Sequence, residues 1–387
     1  MNFLAPPSQS RFPLCVILPK RTKFELILRI EQLTFTRFIA AISIVVFHYG
    51  NNCYLFNNEY ISFIFEQANI GVSYFFILSG FVMIIAYGNR EKVNFIEYIK
   101  NRLARIYPVY LLAIFLILGV SLFQNINKSD LLLNLFMIQS WIPQKALTIN
   151  YPGWSLSVEM FFYISFPFLM NKIYSKKNLK FTSISIISFW LISQIIFHLI
   201  IYEILKVPNY SIKDMFYYPL MHFNEFLIGN LAGLFFINKL KNNQKCHFVY
   251  IVFFLILLIL LLRFPIGLNF HNGLLAIVFV PLIILISLSD NLITKYFQKR
   301  VYVFLGEISF GIYILQAPVW IIFSDYRMLK YLGLNKEVDF TISFLIRLLI
   351  LISVSALSYL YFEKPTRKLI KKLRTITRVS LGLKDQQ

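Results

Sequence analysis

Long apolar stretches alternate along the chain with short polar ones, and their length predicts helices that cross a membrane. Ten such runs stand out, at roughly 33–50, 70–88, 106–123, 154–170, 181–204, 216–237, 247–263, 270–288, 302–324 and 340–361. A helix rises about 1.5 Å per residue, so about 20 apolar residues span the hydrocarbon core of a bilayer. The pattern therefore predicts an all-α, polytopic transmembrane helix bundle of about ten spans. Residues 1–30 read as an N-terminal tail, 31–365 as the membrane domain and 366–387 as a basic C-terminal tail lying on an anionic membrane surface. The run Phe12–Leu18 is short, lacks a small-residue cleavage site and is followed by basic residues, so the first tail reads as cytoplasmic rather than as a signal peptide.

Composition strengthens this picture. The chain is 58% hydrophobic with a mean hydropathy of +0.66, against about 45–50% apolar residues in a soluble domain. The net charge of +20 would suit a nucleic-acid binder, but the basic residues form no single patch, so no nucleic acid is expected. Counted over the ten-span layout, 28 of the 38 Lys and Arg residues fall on one side and 8 on the other, with Arg37 and Arg347 left within spans. That bias predicts both termini in the cytoplasm. Cys53 falls alone in an outer loop while Cys15 and Cys246 fall inside, which excludes an outer disulfide within the chain, and no zinc-type spacing occurs, so no metal is expected. Internal repeats and low-complexity segments are lacking.

A few ionisable residues interrupt the apolar runs, and an ion at bilayer depth persists mainly where it lines a cavity or meets a partner. Arg37 and His48 lie eleven residues apart in the first run, on one helical face and about 16 Å apart along the axis, which suits a single groove. Arg102 and Arg105, one turn apart, have the spacing of a phosphate clamp. Glu159 follows Trp154 by five residues, which predicts a depth about 7–8 Å below the outer interface and a pairing with His48 as base and orienter. The plainer alternatives are snorkelling for Arg37, a headgroup position for His48, ordinary positive-inside charge for the two arginines and a structural pairing for Glu159. Ser79 and Gly80, like Gly229 and Gly233, read as helix-packing positions. His222 and Glu225 read as a structural polar pair, and Ser309, Tyr313 and Gln316 as a polar stripe. Glu363 before Pro365 predicts a helix end, and His198, His247 and His271 carry no assignment.

With these pieces in place, the chain resembles acyltransferase family 3, the integral-membrane bacterial O-acyltransferases acting on surface polysaccharides and related glycans. The matching segments run in order as LTFTRFIAA…FHYG, YFFILSGFVM, NRLARIYPVY, WSLSVEMFFY, NEFLIGNLAG, GEISFGIYILQ and FEKP, from about residue 30 to 365. The resemblance implies a bundle in the bacterial cytoplasmic membrane. It would pass an acyl group, usually acetyl, from acyl-CoA as donor substrate to a hydroxyl of a polysaccharide or lipid-linked sugar acceptor. It also implies that His48 matches the family's essential histidine and Arg37 its partner. Arg102 and Arg105 match the donor-binding Arg-x-x-Arg, and Trp154, Ser155 and Glu159 a further motif. Two positions depart from the pattern: His222 where the family often has Arg, and Gln316 where it often has His. A glycan or lipid transporter without acyl transfer is the alternative, although no paired halves are visible. A polyprenyl-linked glycosyltransferase would need acidic metal-binding clusters that the loops lack.

Overall fold

A computed structural model of the chain describes residues 30–121, 126–176, 178–240, 247–289 and 292–369. Most of the two tails, with Cys15 and Cys246, therefore lies outside the described residues. Each of the ten expected spans falls on a helix: α1 Gln32–Tyr49, α2 Ile70–Tyr87, α3 Phe95–Ser121, α4 Trp154–Phe168, α5 Leu179–Ile201, α6 Pro219–Phe235, α7 Phe248–Arg263, α8 Ala276–Leu288, α9 Arg300–Ile322 and α10 Phe340–Ser358. Among the described residues seven helical segments are long and apolar enough to cross a membrane, while α4, α7 and α8, at 15, 16 and 13 residues, are not among them. The last helix does not stop at Glu363. A wide π-helical turn at Tyr359–Glu363 leads into further helix as far as Leu369. That irregular turn lies just upstream of Pro365, where a regular helix would have to lose a backbone hydrogen bond.

Hydropathy alone does not separate the centre of the bundle from its rim. Both α2 and α5 are strongly apolar, yet 72% of the α2 window is buried inside the protein against 22% for α5. Glycine explains the central position of α2. A Cβ on Gly80 would collide with the Phe226 carbonyl oxygen, and one on Gly229 with the Ile77 carbonyl oxygen, so α2 and α6 touch backbone to backbone. Gly306 plays the same part where α9 meets the Thr34 carbonyl of α1. These contacts leave α1, α2, α3, α4 and α9 around a common interior.

The segment between α3 and α4 folds into the bundle instead of looping away from it. Asn134, Gln139 and Asn150 are fully buried there, and such groups are tolerated only when bonded. Tyr110 Oη donates to the Asn134 carbonyl at 3.0 Å, and Gln139 Nε2 to the Gly153 carbonyl at 2.8 Å. As a result α4 begins deep in the protein. Trp154 is buried against the rings of Tyr217 and His222, with centroids 5.0 and 5.2 Å away, and does not anchor an interface.

Candidate active site

A cavity of about 520 Å³ is lined by three arginines, Arg37 from α1 and Arg102 and Arg105 from α3, by Glu159 from α4, and also by Arg367 and Glu307. The two α3 arginines face it together because residues three apart are neighbours on a helix. Arg102 is held by aromatic rings, with Nη2 donating to Tyr87 Oη at 3.2 Å and Cζ lying 5.4 and 5.3 Å from the Tyr87 and Tyr98 ring centroids. Arg105 makes no hydrogen bond or ion pair among the described residues. Glu159 accepts a 2.7 Å bond from Tyr163 Oη and lies within electrostatic range of all three arginines. Ser79, read as a packing residue, instead lines this cavity, while its neighbour Gly80 does the packing. Beyond the end of α10, Arg367 pairs with buried Glu363 at 3.2 Å, and Tyr359 Oη donates to Glu307 at 2.5 Å. Cations outnumber carboxylates on the walls, which favours an anionic ligand with several acceptor oxygens.

His48 lies at the other end of α1 and lines a different cavity of about 320 Å³, with Tyr49, Asn51, Trp320, Asp325 and Arg347. Its imidazole is exposed, sits edge-on to Tyr151 at 4.8 Å between centroids, and makes no hydrogen bond among the described residues. Tyr151 Oη donates to Tyr49 Oη at 2.7 Å, and Tyr49 stacks on Trp320 at 4.1 Å. Tyr151 also lies within electrostatic range of Tyr313, which lines the first cavity. A layer of rings thus stands between the two chambers.

The structure brings Arg37, Arg102, Arg105 and Glu159 together and sets His48 apart. A single groove along α1 was expected; two cavities at its two ends are found, about 16 Å apart by helical rise. The expected bond between Glu159 and His48 does not form. Glu159 lines the arginine cavity and not the His48 pocket, and Trp154 is buried among protein side chains. His222 and Glu225 form the buried pair expected of them: His222 Nδ1 meets Glu225 Oε2 at 2.7 Å and Nε2 the Phe216 carbonyl at 2.9 Å, Ser73 Oγ donates to Glu225, and neither residue lines either cavity. Ser309 and Tyr313 face the first cavity, while Gln316 is buried and donates to the Tyr313 carbonyl at 2.7 Å. Among the described residues no three His, Cys, Asp or Glu side chains gather as a metal site. Sequence reasoning passed over Tyr151, Asp325 and Arg347. Arg347 carried the signal that exposed Arg37, a charge within an apolar run.

Comparison with known proteins places this geometry in context. The family described as Acyltransferase domain matches residues 30–363. Acyltransferase MdmB of Streptomyces mycarofaciens is 32% identical over 154 residues, covering 36% of this chain and 39% of that protein. The putative peptidoglycan O-acetyltransferase YrhL of Bacillus subtilis is 26% identical over 339 residues, 78% of this chain and 51% of its own length. O-acetyltransferase OatA of Staphylococcus aureus is 29% identical over 156 residues, 35% of this chain and 24% of its own. The chain thus spans about half the length, or less, of these curated relatives. No solved structure matches. Nothing in these comparisons supports the transporter alternative.

Proposed function

The chain belongs to the Acyltransferase domain family, and from that premise we propose that it is a membrane O-acyltransferase moving an acyl group, acetyl in the simplest case, from acyl-CoA to a hydroxyl of a cell-surface polysaccharide or lipid-linked sugar. It would cross the bacterial cytoplasmic membrane ten times with both termini in the cytoplasm, so that the arginine cavity opens inward and the His48 pocket outward. The observation that carries this reading is the division of chemistry along α1: a cationic cavity at one end and an unbonded imidazole at the other. Arg102 and Arg105, with Arg37, would hold the CoA phosphates, and Glu159 would keep the guanidinium groups arrayed as a positioning residue. The pantetheine arm, about 20 Å long by its bond count, reaches from there past the Tyr151 layer to His48.

At His48 the acceptor hydroxyl adds its oxygen to the thioester carbonyl carbon while the imidazole takes the proton. The carbon–sulfur bond then breaks, CoA leaves as thiolate, and the proton returns to it. Base catalysis of this kind contributes about 10²–10⁴-fold. Arg37, some three turns away, serves the donor and not the oxyanion. Protein reconstituted in membranes, given labelled acetyl-CoA and glycan acceptor, tests the assignment. His48→Ala at normal protein level should lose acyl transfer, and undiminished transfer would end it.

A further inference from the structure

Acyl transfer at His48 supplies a base but leaves the developing oxyanion without a donor. Arg347 stands where one is needed. It lies on the buried stripe of α10 with Phe344, Leu351 and Ser355, so its guanidinium is turned into the bundle and does not snorkel along the lipid face. The residue is only 6% exposed and lines the same cavity as His48. A charge within an apolar helix persists mainly where a cavity or a partner uses it.

Its donors are only partly used. Arg347 Nη2 donates to Asp325 Oδ1 at 2.7 Å, while its Nε has no hydrogen-bond partner among the described residues. Lys336 Nζ takes the other oxygen of the same carboxylate at 3.2 Å. Two cations thus share one carboxylate, and the pocket keeps a surplus positive charge even with His48 neutral. A surplus cation on a partly desolvated wall is unfavourable until an anion forms beside it. Lys336 is exposed, on a long flexible stem, whereas Arg347 is fixed. Asp325 holds it from the start of the short helix Asp325–Leu332. The Tyr54 amide donates to Thr341 Oγ1 at 3.0 Å, tying the Asn51 turn to the start of α10. The donor is therefore in place before any charge develops, which is the condition for electrostatic stabilisation.

We propose that Arg347 is a catalytic residue of the transfer, donating to the thioester carbonyl oxygen as it becomes an oxyanion, with Asp325 as its positioning residue. The inference rests on the acyltransferase reading of the same site. As the acceptor oxygen bonds to the carbonyl carbon, its proton passes to His48 and the carbonyl π pair moves onto oxygen, beside the guanidinium. When that pair returns, the carbon–sulfur bond breaks and the leaving thiolate takes the proton from the imidazole. A cavity of about 320 Å³ is about 8 Å across, which seats a base, a hydroxyl, a carbonyl and a donor in sequence at hydrogen-bond spacing.

The test uses the full chain in nanodiscs, with methyl glucoside as added acceptor and water as the default one. It reads free thiol released from acetyl-CoA and from dithioacetyl-CoA, which carries sulfur where the oxyanion forms. Sulfur accepts hydrogen bonds weakly, so the rate ratio of the two donors reports the oxyanion contact. Arg347→Met should lower kcat with acetyl-CoA by about 10²-fold or more and move the ratio toward the sulfur donor by about tenfold, while acetyl-CoA affinity by titration stays within twofold. Arg347→Lys keeps a cation on the Asp325 carboxylate. It should lose less but shift the ratio in the same direction, and it carries the test alone if the Met variant does not accumulate. Unchanged kcat, an equal loss with both donors as a purely structural role gives, or a loss of donor affinity instead would each overturn the assignment. If the wild-type chain releases no thiol at all, the acyltransferase reading falls and the oxyanion role falls with it, which separates the two failures.

Discussion

The two chambers along α1 are built from different materials. The arginine cavity collects guanidinium groups from several helices and leaves Arg105 without an ion-pair partner among the described residues, its charge open to a ligand. The His48 pocket pairs its cations with Asp325 and surrounds them with aromatic rings and amides. Unneutralised charge in a partly desolvated space selects a polyanion, whereas the His48 pocket sets Arg347 and Lys336 on one carboxylate beside aromatic walls. One helix therefore presents two kinds of recognition about three turns apart, and transfer between them requires passage through a ring layer.

Four changes would sharpen or break this contrast. The largest effect is expected from His48→Ala, which should lower kcat by about 10²-fold or more, as loss of a general base does, with acetyl-CoA affinity intact in a binding assay. Next, Arg105→Ala should weaken acetyl-CoA by about 10–100-fold, the scale of a lost charge-assisted contact, and Arg105→Lys should recover only part because the planar fork is gone. Tyr151→Ala should follow: opening the ring layer admits water, so acetyl-CoA hydrolysis without acceptor should rise by about tenfold, read as free thiol released over time.

The smallest effect concerns pH. Although partial burial pushes the other way, hydrogen bonds and charge from Arg347 and Lys336 hold the Asp325 carboxyl below its ordinary value of 3.8. A depressed carboxyl contributes stability above that ordinary value and loses it as pH falls through the lowered one. Thermal unfolding midpoints should therefore drop as pH falls below about 4, and Asp325→Asn should flatten that part of the profile. An unchanged profile would mean that the pair does not hold the pocket together.

Much of the scaffold could be read from the sequence because lipid imposes a uniform demand. Long apolar runs had to be helices, and the Arg102 and Arg105 spacing put both on one face whatever the tertiary fold. Burial was harder to read. Trp154 looked like an interfacial anchor, and only the inward folding of residues 126–153 shows that α4 starts inside the protein. Glu159 lines the arginine cavity and not the His48 pocket. Ser79 and Gly80 show the same limit at single-residue scale: both are small, but helix rotation sends one to the cavity and the other to the α6 contact. Arg347 shared the signal of Arg37. Its partner Asp325 lies 22 residues earlier at the start of a short polar helix, where one more acidic residue carries no distinguishing mark.

Isothermal titration of acetyl-CoA into wild-type protein, Arg102→Ala, Arg105→Ala and His48→Ala would probe the division of labour most directly. Donor affinity should fall by about tenfold or more in each arginine variant and stay within twofold of wild type in His48→Ala. Loss of donor binding in His48→Ala with the arginine variants unaffected would contradict it.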